Sequence, residues 1–214
     1  MKITFSFPSR SRPVKFFAAL DNIRSMSNSD NYEVIAKIDE DDKTFTDRFK
    51  QRLEQYPEVI TMYGKSKNKI DAVNRSLHDM KGEILCLHSD DMVFIKRGFD
   101  EVIREAFKDF EGLLHFPDGF ANERVCTYSI MHVNYYKRFG YIYHPDYRSL
   151  WCDDEQTRVA KMLNKYKYIP EQIFQHEHPV LGHVPRDDQY YRTEKLYRED
   201  QITFIRRQNM NFGL

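Results

Sequence analysis

Ile3, Phe5 and Phe7 alternate with polar residues and Pro8 closes the run, the period-two mark of a strand. Pro13 can open a helix, and Phe16, Leu20 and Ile23 then fall on one face of it. A second strand is expected over 33–38, followed by the acidic loop Asp39 to Asp42. Phe45, Phe49, Leu53 and Tyr56 mark the next helix, 58–63 a third strand, and Ile70, Val73, Leu77 and Met80 a third helix. Gly82 ends that helix, and 83–88 is a mostly apolar fourth strand.

This β-α-β-α-β-α-β order predicts a mostly parallel central sheet with helices on both faces. In such sheets ligands bind outside the carboxyl ends of the strands. Ser9 to Arg12, Asp39 to Asp42 and Ser89 to Asp91 are all placed at such ends. Further along, Phe99, Val102, Ile103, Ala106 and Phe110 share a helix face. Strands are expected over 112–116, 125–131 and 167–174, a helix from about Asp153, and a long Tyr-rich helix over 187–208. The expected organisation is one domain over 1–180, with a nucleotide-binding half (1–95) and an acceptor half (96–180). Residues 181–214 would be its C-terminal helical extension.

Composition narrows the class. In 214 residues, 41% hydrophobic and 31% charged side chains suit a folded α/β domain. The 33 basic residues balance the 33 acidic ones, so no global field draws the chain to nucleic acid or an anionic membrane. Cys86, Cys126 and Cys152 form neither a disulfide framework nor a CxxC zinc pair, which suggests a reducing, cytoplasmic setting. The N-terminus does not read as a signal peptide, and no apolar run approaches the ~20 residues of a membrane span.

Four clusters carry candidate chemistry. Asp90 and Asp91, after a buried strand, would be costly without a cation or solvent; their hard oxygens suit Mg²⁺ or Mn²⁺ bridging a diphosphate. A solvated, capped turn is the plainer reading. His176 and His178, two residues apart, would share a face of a strand end; either could join a metal, or both could be surface histidines. Asp153 and Gln156 have capping-box spacing, while Asp153 or Asp154 could instead be a general base. Ser9 to Arg12 could bind phosphate, or be a solvated loop. Lys65, Lys67, Lys69, Arg186, Arg192, Arg206 and Arg207 would form a nucleic-acid track only if one face gathered them.

Together these segments resemble the family 2 glycosyltransferases of GT-A fold. The resemblance spans about residues 3–180. It rests on Pro8-Ser9-Arg10-Ser11-Arg12-Pro13 after the first strand, Asp39 after the second, Lys69-Ile70-Asp71-Ala72-Val73-Asn74, Gly82 through Asp91, the pair Asp153-Asp154, and a late His178. The sequence departs from the family pattern in having His88 where the metal motif usually begins with an acid, and Asp-Asp where Glu-Asp is commoner. The resemblance implies a metal-dependent transferase moving a sugar from a nucleotide-diphosphate donor, commonly a UDP-sugar, to an acceptor hydroxyl with inversion. It implies donor contacts from Pro8, Ser9, Arg10, Arg12, Asp39, Lys69, Asn74, Ser89 and Asp90. Asp91 and His178, with Asp90 and His176 as further candidates, would hold the Mn²⁺ or Mg²⁺. Asp154 or Asp153 would be the base. The acceptor is left open among saccharide, protein, small molecule and modified nucleic-acid base, and an inactive nucleotide- or glycan-binding module is the alternative. A nucleotidyltransferase would want a Gly-rich loop after the first strand, and a two-metal nuclease more carboxylates.

Overall fold

The computed structural model describes residues 1–177, 191 and 193–214. Strands β1 (Ile3–Ser9), β2 (Tyr32–Asp39), β3 (Val59–Gly64), β4 (Ile84–Leu87), β6 (Leu113–His115), β7 (Ile130–His132) and β8 (Tyr166–Tyr168) form one sheet in the order β3-β2-β1-β4-β7-β6-β8. Pairing is parallel from β3 to β4 and between β6 and β8; β7 runs antiparallel to both neighbours. A separate antiparallel ribbon joins β5 (Met92–Phe94) to β9 (Phe174–His176).

Helices α1 (Pro13–Met26), α2 (Asp47–Leu53), α3 (Lys69–Asn74), α4 (Phe99–Ala106), α5 (Val133–Phe139), α6 (Cys152–Met162) and α7 (Tyr197–Asn209) surround the sheet. Two cores result, and the strands divide between them with period two. Val34, Ala36 and Ile38 join Phe5, Phe16, Phe17 and Phe99 on one side, while Ile35 joins Ile70, Val73, Tyr147 and Phe204 on the other. The polar positions of β1 are buried as well. Thr4 Oγ1 donates to Glu33 Oε1 at 2.7 Å and accepts from the Gly82 N–H at 2.9 Å, so a doubly covered strand keeps its hydroxyl satisfied. Cys86, Cys126 and Cys152 are buried thiols.

Several expected elements are shorter. The third helix stops at Asn74, because Arg75 is extended (φ −69°, ψ 157°) and Ser76 is left-handed (φ 58°). The Asn74 amide is held by the backbone of Ile142 and Tyr143, and Arg75 turns to Asp39, so tertiary contacts override the apolar period. The strand expected over 167–174 splits around Pro170 into β8 and β9. Only Ile130–His132 of 125–131 is strand; the Cys126 N–H goes to Thr157 Oγ1 instead of a ladder. Of the helix expected over 187–208, 191, 193–194 and Tyr197–Asn209 are helical with a turn at 195–196 between them; 187–190 and 192 lie outside the described residues. Among the described residues no helix is long and apolar enough to cross a membrane.

Gly82 sits where β1 and the approach to β4 touch. A Cβ there would lie 2.4 Å from Thr4 Oγ1 and 2.6 Å from the Thr4 nitrogen. Gly82→Ala should therefore lower unfolding free energy by about 1–3 kcal/mol in urea titration; an unchanged midpoint would contradict this packing.

Candidate active site at the carboxyl ends of the strands

β1 and β2 end side by side, and the loops leaving them are tied together. Beyond Ser6 the β1 strand has a ladder partner only in β2, which lets Pro8 sit near its end without costing a bond to β4. Arg10 reaches across to donate to Asp39 Oδ2 at 2.8 Å and grips both oxygens of Asp41 at 2.6 and 2.9 Å. These carboxylates raise the Arg10 pKa further. Ser11, at φ 63°, gives its N–H to Asp42. Asp39 is buried and also accepts from Ser66 Oγ (2.7 Å) and Arg75 (3.3 Å).

Arg75 was not singled out from sequence. Its Nε and one terminal nitrogen are buried with no hydrogen-bond partner among the described residues. It lies across Gly64, where any Cβ would collide with it at 2.2 Å. Next to it Lys37 is buried and donates to the Val73 carbonyl; burial and then the Arg75 charge push its pKa well below the ordinary lysine value. The sequence signal was a lysine inside an apolar strand.

The β4 end supplies the second group. Arg12 pairs with Asp90 at 3.0 Å; burial raises the Asp90 pKa, and Arg12 only partly opposes this. Asp91 accepts a short hydrogen bond from Ser89 Oγ. His176 reaches it because β9 places His176 opposite Met92. The His176 ring lies 3.8 Å from Asp91 and 3.5 Å from Asp118, which is 1% exposed. Burial disfavours the imidazolium, but the two carboxylates outweigh it and lift His176 to about 9. Burial likewise works against Asp91 and Asp118 as anions, and their hydrogen bonds to His176, with further partners, hold both below the usual carboxylate range.

Asp118 is the larger omission of the sequence reading. One oxygen accepts the N–H groups of Phe120, Ala121 and Asn122 at 2.7–3.0 Å, and the other accepts Thr127 Oγ1. Pro117-Asp118-Gly119 after a predicted strand is the turn chemistry that could have marked it.

The third group is the start of α6. Asp153 is not its cap: Trp151 occupies that place in the left-handed region (φ 63°), and Gln156 donates to the Ile142 carbonyl instead of closing a capping box. Asp153 and Asp154 lie in the first turn, half-buried. Burial raises both pKa values. The Asp154 charge raises Asp153 further and Lys69 opposes it, while Arg124 and Arg158 oppose the rise of Asp154. The Lys69 charge, at the start of α3, favours the ionised forms of both Asp91 and Asp153.

Not every expected residue joins them. The Asn74 amide is spent on the 142–143 backbone. His88 is fully buried in the core, stacked on Phe94 and bonded to Tyr128 at 2.8 Å, which takes it out of the site; burial drops its pKa to about 3. Arg207 is buried against Glu155, which removes it from the hypothetical nucleic-acid track. His178, Arg186 and Arg192 lie outside the described residues.

Among the described residues no group of three histidine, cysteine or carboxylate side chains converges as a metal cage. The donor chemistry fits a looser arrangement. Asp91 is ionised and its side chain 31% exposed, and Mg²⁺ or Mn²⁺ is commonly held by one or two carboxylates with substrate phosphates. His176 cannot ligate while it keeps its proton.

No family model and no curated protein matches the sequence. Solved structures do match in shape. The mannosyltransferase PcManGT from Pyrobaculum calidifontis, in complex with GDP-Man and Mn²⁺, superposes with TM-score 0.63 at 17% identity, covering 79% of this chain and 54% of that one. S. aureus TarS 1–349 gives 0.63 at 14% identity over 81% of this chain and 59% of that one. Its complex with UDP-GlcNAc gives 0.62 at 14% over 90% and 64%. The chain has a GT-A-like glycosyltransferase fold. It spans little more than half the length of these proteins, and at such identities the likeness is one of fold. The expected α/β architecture, with a central sheet between helices and a C-terminal helical extension, is the one observed.

The Asp91–His176–Asp118 triad predicts its own titration. The raised His176 pKa makes its pairing fully stabilising below about 6.5, with the contribution lost as pH rises through about 9. NMR titration of the metal-free protein should give a His176 midpoint near 9; a value at or below 6.5 would contradict the ion pair.

Proposed function

We propose that this chain transfers a sugar from a nucleotide-diphosphate donor, a UDP-sugar being the first candidate, to an acceptor hydroxyl. The observation that carries the reading is the pair of ion pairs Arg10–Asp39 and Arg12–Asp90, with Asp91 next to the second, where β1, β2 and β4 end in a GT-A-like sheet. Asp39, backed by Arg10, Ser66 and Arg75, offers a fixed acceptor for the N–H of a nucleobase, and the unpartnered Arg75 nitrogens offer donors for its carbonyls. Pro8 and Ser9, at the end of β1, would border the bound nucleotide. Arg12, Lys69 and the Ser89 hydroxyl suit a diphosphate.

Asp91 would hold Mn²⁺ or Mg²⁺ against the diphosphate, with Asp90 reaching the cation only by leaving Arg12. Such an ion supplies Lewis-acid stabilisation of the charge on the leaving group. His176, as imidazolium, keeps Asp91 ionised and oriented. Asp154 would take the proton of the acceptor hydroxyl as its oxygen attacks the anomeric carbon, giving inversion. Burial supports that role, because a carboxylate with a raised pKa is a stronger base.

Asp154→Asn should keep nucleotide-diphosphate binding by calorimetry while lowering turnover by roughly 10²–10⁴-fold. An unchanged rate would remove Asp154 from the chemistry, and a product of retained configuration would exclude its role as base. Asp91→Ala should abolish the Mn²⁺-dependence of nucleotide binding in the same titration; persistence of that dependence would contradict the metal assignment. Wild-type protein that binds nucleotide diphosphate and turns over no sugar nucleotide would be a binding module instead.

A further inference from the structure

The C-terminal helix α7 carries a buried carboxylate that no donor contact explains. Asp200 is 0% exposed and accepts three successive backbone N–H groups, from Arg148 (2.9 Å), Ser149 (2.8 Å) and Leu150 (2.7 Å). Two turns later Arg207 forks onto both oxygens of Glu155 at 2.7 and 2.8 Å and also reaches the Phe212 carbonyl at 2.8 Å. Tyr147 Oη closes the same knot on Glu155 at 2.7 Å. These two locks fall on either side of the segment from Trp151 to Asp154.

Between them the backbone is held where it would not rest unaided. Trp151 is at φ 63°, a left-handed conformation that is costly for a bulky side chain. Its ring packs on Tyr197 and Phe204 of α7, with centroids 5.5 and 5.2 Å apart. Its indole N–H is buried without a hydrogen-bond partner among the described residues. Such a conformation persists only when its surroundings over-determine it, and here the surroundings are α7. The same loop touches the donor side, since the Arg148 carbonyl accepts the Ile70 N–H next to Lys69. Arg158, which acts on Asp154, lies 4.7 Å over the Phe204 ring.

We propose that α7 is the positioning element of the acceptor side. Asp200 and Arg207 fix the turn through Trp151, and with it the direction in which Asp153 and Asp154 face an incoming hydroxyl. Asp200 and Arg207 are positioning residues that touch no substrate. The proposal rests on the transferase reading for its chemical consequence, but its structural half stands apart from that reading.

The test compares the full chain with Asp200→Asn, which keeps volume but turns an NH₂ toward the amides, and with Asp200→Ala. Glu199→Gln, whose exposed side chain pairs with that of Arg148, is the control. In both Asp200 variants amide exchange at 148–150 and 153–154 should accelerate about 10- to 100-fold, the loss expected for charge-assisted bonds. Exchange in the central strand at 3–6 should stay unchanged. Emission from Trp151, the single tryptophan, should shift to the red. With sugar nucleotide, kcat should fall at least about 10-fold at unchanged donor KM, the pattern of a lost transition-state alignment. Unaltered exchange at 148–154, or acceleration spread equally over the whole chain, would overturn the positioning role. So would faster local exchange with unchanged kcat. If wild-type protein shows no turnover, the transferase reading fails, and the exchange and fluorescence results still decide whether α7 sets the turn.

Discussion

A carboxylate taken out of water must be given hydrogen bonds or an opposite charge, and this requirement builds the edge of the sheet where function is expected. Asp39, Asp118 and Asp200 are each buried, and each gathers the chain around it. Asp39 draws in Arg10, Ser66 and Arg75 from three segments. Asp118 winds residues 120–122 and Thr127 around itself and offers its remaining charge to His176. Asp200 collects 148–150. Each arrangement is stable only as a whole, because removing a partner leaves an uncompensated charge in a poor solvent.

The sheet itself was legible because its forces are local and periodic. The alternation in β1 and β2 and the apolar run of β4 reflect burial on both faces. The helix start at Pro13 follows from the proline's fixed φ. What the period could not report was competition. Leu77 and Met80 continue the helical spacing of Ile70 and Val73, yet the helix ends at Asn74, because its side chain and Arg75 find better partners at Tyr143 and Asp39. Gln156 has capping-box spacing from Asp153 but is buried and bonds the Ile142 carbonyl. These outcomes depend on residues nearly 70 positions away at most and invisible to any window of sequence.

The candidate site was legible in its carboxylates and less so in what orients them. Asp90–Asp91 stood out as an acidic pair after a buried strand, Asp39 as the head of an acidic loop after the second strand, and Asp153–Asp154 as an acidic pair at a helix start. Arg75, Asp118 and Asp200 did not, since each looks like an ordinary polar residue until the fold surrounds it. His176 was a further candidate ligand after His178; its proton, favoured by two carboxylates, makes it a counter-ion of Asp91 and Asp118 in the metal-free protein. His88, standing at the first position of the acidic motif, belongs to the aromatic core with Phe5, Phe7 and Phe94. The motif thus begins in the core and turns toward the site only at Ser89.

The central proposal is that a nucleotide diphosphate binds along the carboxyl edge of β1, β2 and β4. Amide exchange mapped with and without uridine diphosphate and Mn²⁺ tests it most directly. Protection should appear together at 9–12, 39–42, 64–69 and 89–91, with the amino ends of the strands unaffected. Protection confined to other surfaces, such as the cleft of about 630 Å³ beside Leu77, Lys81 and Lys137 that precedes β4, or no protection with any nucleotide diphosphate, would contradict it.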